Sequence, residues 1–429
     1  MIDFTLSPQQ LALQSHARAF ASTHLSTAAA TYDHLPDQAA RFRATRPIYR
    51  AAVSAGLISG QIPAPLGGTG GSLVDAAILV EELYAVEASA SLTILGTGLG
   101  LTPLLLAGSA EQHARLLAPF LSGQGEPFAS LVHSEPGGTA NWLEKGGRGL
   151  QTTARREGDE WVITGEKLWT TNSAGWDGRG AELQCVVCRY VQDGGPQDPA
   201  QDPKDAICIV MVTREDIARN REEAYTVLGD PELAGHRAAS GPHTRFTNLR
   251  VPAANLLAAP GHGAAVIEQT FGSSAAIVGA MSVGIMRAAF EAALAYAKTQ
   301  TRGGSVPILE RQSVADLLID VKMRCEASRY LTWKALHGLE NGPGGFAARL
   351  EMALEAKVFA SDNAVKCVVD GMKVVGMSAY AKDQPFSRLL NDAACLPLFD
   401  GGNVGIRRRQ IERIFLAEEY EPWAASYGV

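Results

Sequence analysis

Cysteine is scarce in this chain: six residues, at positions 185, 188, 208, 325, 367 and 395 of 429. Such scatter excludes a disulfide framework and suits a reducing compartment, so a cytoplasmic protein is expected. Cys185-x-x-Cys188 is half of a zinc site, but no second pair accompanies it and it falls in a strand-like run, Leu183 to Tyr190, so no metal is expected. Long apolar runs are missing too. Leu92 to Ala107 is broken by Gly96, Gly98, Gly100 and Pro103 and falls short of the roughly 18 apolar residues of a membrane span. Met1-Ile2-Asp3-Phe4 leads into a helix cap without signal-peptide character, and Ser426-Tyr427-Gly428-Val429 is not a Ser-Lys-Leu signal. Nor is positive charge in excess: 38 Lys and Arg against 45 Asp and Glu disfavour a nucleic-acid partner.

Familiar nucleotide and hydrolase signatures are also absent. The glycine-rich loop Pro63 to Gly71 lacks a Gly-Lys-Ser/Thr ending, and no Gly-x-Gly-x-x-Gly stands in a βαβ alternation, which disfavours a Rossmann domain. Ser274, in Phe271-Gly272-Ser273-Ser274-Ala275-Ala276, has no Gly-x-Ser-x-Gly elbow and is not read as a hydrolase nucleophile; the small residues around it suit close helix packing.

What is present is a clear change of period along the chain. Ser7-Pro8-Gln9-Gln10 reads as a capping box opening a helix toward Thr23, and helical runs follow at 47–55, 73–84 and 110–121, with Pro103 opening another short one. Past Gly123 the residues alternate in short β-prone runs at 128–133, 150–155, 161–169, 183–191, 207–213 and 243–246, and the proline-rich stretch 193–203 is expected to be a surface hairpin. Helical periodicity returns at 264–298, 308–340, 345–375 and 403–419. The expected architecture is therefore α+β: an N-terminal all-α domain (1–122), a central antiparallel β domain (123–258) and a C-terminal four-helix bundle (259–429).

Four stretches could carry chemistry. His133-Ser134-Glu135-Pro136-Gly137-Gly138-Thr139 ends a strand in a loop rich in donors, suited to a polar ring edge or phosphate, or simply to a turn. Trp169, with Thr171 two residues on, could flank a planar cofactor or fill a core. Arg302 could grip a phosphate or merely favour a helix C-terminus. In Leu398-Phe399-Asp400-Gly401-Gly402-Asn403, followed by Arg407-Arg408-Arg409, a lone carboxylate lies among apolar and cationic neighbours: a candidate general base, or an N-cap of the last helix.

Together with Lys167-Leu168-Trp169-Thr170-Thr171-Asn172 and Val251-Pro252-x-x-Asn255, these motifs in this order resemble the acyl-CoA dehydrogenase superfamily over almost the whole chain. Within it the chain is similar to the nitroalkane oxidase branch, through Gly138-Thr139-Ala140-Asn141-Trp142-Leu143, Glu232-Leu233-Ala234-Gly235-His236 and Tyr420-Glu421-Pro422-Trp423. The resemblance implies FAD and a homotetramer. Leu131, His133, Ser134 and Thr139 would line the flavin, Trp169 would pack on its ring, and Thr171 would face its N5. Arg302 would hold the pyrophosphate of a neighbouring subunit, and Gln312, Lys373 and Gly376 would join the cofactor set.

It also implies that Asp400, with Arg407 about two helical turns along, takes the α-proton of a neutral nitroalkane, while Ser274 hydrogen-bonds the carboxylate or a substrate oxygen. The nitronate would add to flavin N5, nitrite would leave, an aldehyde or ketone would form, and O2 would reoxidise the flavin to give hydrogen peroxide. The alternative is an acyl-CoA dehydrogenase acting on a CoA thioester. Against it, Phe399-Asp400-Gly401-Gly402 replaces the usual Tyr-Glu-Gly-Thr, retracting the base by about 1.5 Å, and Ala275 stands where many dehydrogenases carry an arginine. Two departures from the oxidase pattern are Thr170-Thr171 in place of Pro-Ser and Arg311 in place of a histidine.

Overall fold

Residues 4–192 and 202–428 are described by the computed structural model, so most of the expected hairpin at 193–203 lies outside the described residues. Helices come first: α1 (Pro8–Phe20), α2 (Ala28–Tyr32), α3 (Gln38–Ala44), α4 (Arg46–Ser54), α5 (Leu73–Tyr84), α6 (Ala88–Ala107), α7 (Ala110–Leu116) and α8 (Ala118–Leu121). Local chemistry sets their starts. The Ser7 hydroxyl accepts from the Gln10 N–H while the Gln10 side chain accepts from the Ser7 N–H, and Ser72 and Asp75 do the same for α5.

Pro103 does not open a helix. It lies inside the 20-residue α6, whose glycines bring it close to its neighbours rather than break it. A Cβ on Gly100 would stand 2.3 Å from the Ala129 carbonyl carbon and the Ser130 nitrogen, so only glycine allows α6 to lie on the following strand. Contrary to the expectation from Leu92–Ala107, α6, like the later helix at 263–299, is long and apolar enough to cross a membrane. More than half of each helix's most apolar stretch is buried inside the protein, as in any core helix.

Among the described residues eight strands follow: β1 (Ala129–Val132), β2 (Thr153–Glu157), β3 (Glu160–Lys167), β4 (Leu183–Tyr190), β5 (Ile207–Thr213), β6 (Tyr225–Gly229), β7 (His243–Pro252) and β8 (Leu256–Ala258), with α9 (Arg214–Arg219) after β5. They form one sheet in the order β6-β7-β3-β2-β4-β5-β8, with β1 also on β4. The sheet is mixed rather than antiparallel: β1 and β2 both run parallel to β4. Long connections, 133–152 between β1 and β2 and 168–182 between β3 and β4, permit this where two-residue turns would enforce hairpins. Both faces are covered. Cys185 and Val187 pack under the N-terminal helices, while Val186 and Cys188 join a second core on the opposite face. The two cysteines of the Cys-x-x-Cys pair thus point to opposite faces of β4 and cannot share a metal ion.

The C-terminal region packs α10 (Gly263–Thr299), α11 (Gln312–Asn341) and α12 (Phe346–Val375) on one another, with α5 alongside α10. α13 (Phe386–Cys395), not foreseen in the sequence, packs on α10 and α12. The run expected as one helix at 403–419 is instead a single wide π-turn at Asn403–Arg407 continued by α14 (Arg408–Phe415), before a last turn α15 (Ala424–Tyr427).

The contact of α6 with β1 yields a stability test. Gly100→Ala is expected to cost about 3 kcal/mol, the upper end for overpacking, seen as a lowered urea midpoint with an unchanged slope. An unchanged midpoint would mean the helix can lift off the strand freely.

Candidate active site

A cavity of 1680 Å³ opens between the N-terminal helices, one edge of the sheet and α10, and Asp400 lines it. Apolar side chains make much of its wall, among them Leu79, Leu95, Leu99, Ile277, Met281 and Phe399.

Asp400 is not a helix cap. The cap position before the π-turn is Gly402, which makes no side-chain capping bond, and Asp400 itself sits two residues earlier with φ at +52°, a left-handed conformation that few non-glycine residues adopt, though aspartate does so more readily than most. Its carboxylate is 4% exposed. The Ser274 hydroxyl, from α10, donates to Oδ1 at 2.7 Å. Arg407 reaches the same residue by a route the sequence did not suggest. Its Nε and Nη2 donate to the Asp400 carbonyl oxygen at 3.0 and 2.6 Å, whereas Nη2 lies 3.5 Å from Oδ2. Nη2 also reaches the Phe271 carbonyl at 3.3 Å, and Nη1 donates to Gln410 at 2.9 Å. Arg407 is therefore not two turns along a shared helix: the chain folds back through Gly401, and the wide turn at 403–407 aims the guanidinium at the Asp400 backbone.

Gly401, with φ at +70°, makes that return possible. A Cβ there would stand 2.8 Å from the Arg407 Cζ, so this glycine gives room to the arginine rather than to a ligand. Burial lowers the Arg407 pKa and the Asp400 charge opposes the shift. The two neighbouring arginines go elsewhere. Arg408 pairs with Asp362 at 3.1 Å, and Arg409 donates to the Ala140 carbonyl at 2.6 Å and to Asn141 at 2.5 Å, tying α14 to the loop after β1.

That loop forms the other wall. Leu131, His133, Ser134, Thr139, Trp169 and Thr171 all line the cavity. Trp169 is 53% exposed with φ at +66°, so it is no core tryptophan; its indole stands free on the cavity side of the sheet. Thr171 packs its methyl where Gly96 leaves space, since a Cβ on Gly96 would lie 2.8 Å from it; the methyl that distinguishes Thr171 from a serine is housed by this glycine of α6. His133 is buried, its Nε2 has no hydrogen-bond partner among the described residues, and burial, aided by the Lys167 charge, pushes its pKa down to about 3. A neutral, unpartnered imidazole nitrogen and an exposed indole on one cavity wall fit a flat, polar-edged ring system such as a flavin.

Sequence reasoning missed what holds this wall. Lys167 is fully buried and donates to the His133 carbonyl (2.9 Å), the Val187 carbonyl (2.8 Å) and Glu135 Oε1 (3.0 Å). Burial pushes the Glu135 carboxyl up, but Lys167 and the N–H groups of Gln151 and Thr152 outweigh it and hold it below the usual carboxylate range. The signal was available: Lys167 falls in phase with Trp161 and Ile163 on β3, an inward position. By contrast, Arg302, Gln312, Lys373 and Gly376 do not line the cavity of this chain. Arg302 donates to the Val374 carbonyl at 2.6 Å and lies against Gly376, Lys373 pairs with Asp370, and Gln312 bonds Asp316.

Comparison with known proteins matches this geometry. Residues 7–124 match the acyl-CoA dehydrogenase N-terminal domain and residues 261–416 the acyl-CoA dehydrogenase C-terminal domain. Nitroalkane oxidase of Fusarium oxysporum is 58% identical over 430 residues, covering 100% of this chain and 98% of that protein. A probable acyl-CoA dehydrogenase of Mycobacterium bovis is 29% identical, covering 96% of each. Solved structures of nitroalkane oxidase, 57% identical and fully covered on both sides, superpose with a TM-score of 0.98. They include an active-site Asp-to-Asn variant crystallised with 1-nitrooctane and a Ser-to-Ala variant crystallised with 1-nitrohexane.

The buried histidine gives a pH test with a definite sign. Between pH 6.5 and about 3 the folded protein keeps His133 neutral while the unfolded chain takes up its proton. Its contribution is whole above pH 6.5 and is lost as pH falls through that window, by up to about 1.4 kcal/mol per pH unit. Urea unfolding at pH 7 and pH 5 should therefore show a smaller loss in His133→Gln than in the parent; an equal loss would place the acid sensitivity elsewhere.

Proposed function

The chain belongs to the acyl-CoA dehydrogenase family and within it to the nitroalkane oxidases, flavoproteins that use FAD, and from that premise we propose how its own residues oxidise a neutral nitroalkane. The observation that carries the reading is the Ser274–Asp400–Arg407 constellation, set in an apolar cavity facing the His133–Thr171 wall. Aspartate, serine and arginine are also the residue types studied at the active site of the solved relatives.

An α C–H beside a nitro group is acidic because the carbanion delocalises onto the nitro oxygens. Asp400 takes this proton. Ser274 occupies Oδ1, and among the described residues Oδ2 has only the long Arg407 contact, so its lone pairs are available to the substrate's α-proton. Arg407 fixes the backbone from which the carboxylate projects and places a buried positive charge near the charge that moves during transfer. The apolar wall admits an alkyl chain and excludes water. Leu131, His133, Ser134, Thr139, Trp169 and Thr171 would hold FAD, which would supply the two-electron acceptor; with O2 as the final oxidant and water supplying the carbonyl oxygen, the products would be nitrite, hydrogen peroxide and an aldehyde or ketone.

The CoA-thioester alternative is set aside. Full-length identity near 58% lies with nitroalkane oxidase against 29% with the acyl-CoA dehydrogenase, and the base is an aspartate. We further propose a homotetramer in which Arg302, Gln312, Lys373 and Gly376 serve the cofactor of a neighbouring subunit. Their position away from this chain's cavity supports this, as do the exposed apolar side chains Ile319, Met323, Met377, Tyr380 and Trp423. A cytoplasmic location is proposed from six cysteines that are all free.

Asp400→Asn tests the base. The variant should keep a flavin spectrum and lose about 10²- to 10⁴-fold in turnover of neutral nitroethane, recovering much of it with preformed nitronate, which needs no proton removed. Full activity on neutral nitroethane would sink the assignment.

A further inference from the structure

A second buried cation stands behind the base. Lys357 is fully buried on α12, in the inward stripe Leu354, Lys357, Ser361 and Ala364. Its Nζ donates to the Asn403 side-chain oxygen at 2.7 Å and to the Gly401 carbonyl at 3.3 Å. The Asn403 amide in turn donates to Ser361 at 3.0 Å and Asp362 at 2.8 Å. The turn that carries Asp400 is thus gripped from two sides, with Arg407 on the Asp400 carbonyl and Lys357 on the next carbonyl and on Asn403.

The charges around Lys357 are few. Asp400 and Arg407 face it from the turn, Asp362 lies on its own helix and is already paired with Arg408, and the Cys395 thiol ends α13. No carboxylate lies within ion-pair distance of Nζ among the described residues. Burial, aided by the Arg407 charge, brings its pKa down to about 8, and among its neighbours Asp400 does most to hold the proton on. An ammonium left in such a place is costly unless a charge nearby answers it, and a methionine would fill the same space without that cost. Retention of the charge therefore points to the carboxylate it faces.

We propose that Lys357 is a positioning residue for the base: it pins the Gly401–Asn403 side of the turn and supplies, with Arg407, the positive charge that balances the Asp400 carboxylate. The inference rests on the nitroalkane reading for its assay, and activity of the parent enzyme on nitroethane checks that reading separately.

The experiment is the pH profile of kcat/KM for Lys357→Met and Lys357→Arg holoenzymes, on neutral nitroethane and on preformed nitronate. Losing a positive neighbour makes a carboxylate hold its proton more tightly, so in Lys357→Met the acid limb should move up by about half a pH unit or more. The rate on neutral nitroethane should fall about tenfold or more while nitronate turnover stays within about threefold of the parent. Lys357→Arg, which keeps the charge, should leave the acid limb in place. An unmoved limb in Lys357→Met, or equal losses on both substrates, overturns the proposal. If Lys357→Met does not hold its flavin, Asn403→Leu decides. It removes the tether and leaves the charge, and is expected to slow the neutral substrate without moving the limb; a parent-like rate there overturns the positioning role.

Discussion

The structure turns on the grip of the Arg407 guanidinium on the carbonyl of Asp400. A left-handed conformation at a non-glycine residue costs about 1–3 kcal/mol, and hydrogen bonds to a charged donor return about 1.5–3 kcal/mol, so two such bonds outweigh the strain. The consequence is geometric. With its backbone so held, Asp400 cannot act as a helix cap, and its carboxylate is delivered to Ser274 and the cavity. The wide turn at 403–407 and the bare Cα of Gly401 are what this grip requires of the chain. A simple ion pair between the two side chains would have been a weaker device, because both carboxylate oxygens would then be engaged.

The opposite wall is held by a further buried cation, Lys167, with a different task. Lys167 ties β3 to the end of β1 through the His133 carbonyl and Glu135, and to β4 through the Val187 carbonyl, so the loop from His133 to Thr139 is fixed at its root. From the other side α6 presses on β1 at Gly100 and receives Thr171 at Gly96. Arg409 then spans the cavity rim, joining this loop to the helix that follows the base. Base and cofactor wall come from segments more than two hundred residues apart, and these few polar ties set the distance between them.

Much of this was legible in the sequence, and the failures have physical causes. Capping boxes at Ser7 and Ser72 mark helix starts because their hydrogen bonds are local. Alternation found six of the eight strands among the described residues; β6 is mostly exposed and β8 only three residues long, so neither shows a clear alternation. Parallel pairing on β4 depends on long connections that leave no local trace. Pro103 misled because its place in α6 is secured by tertiary contact rather than propensity. At the site, Asp400, Ser274 and the residues of the cavity wall were identifiable as residues, but the backbone role of Arg407 was not, since it depends on a turn of rare type. Lys167 and Lys357 were visible as lysines in apolar phase, a pattern that hydrophobic periodicity alone reads as error.

The chemistry follows from the mismatch between this site and one made for thioesters. A base one methylene short, fixed by its own backbone and set beside an apolar channel, suits removal of an already acidic proton from a small, uncharged molecule. The most direct test is anaerobic mixing of the purified holoenzyme with nitroethane and, separately, with an acyl-CoA, following the flavin absorbance. Bleaching by nitroethane and none by the thioester is the predicted result; bleaching by the thioester with nitroethane inert would contradict it.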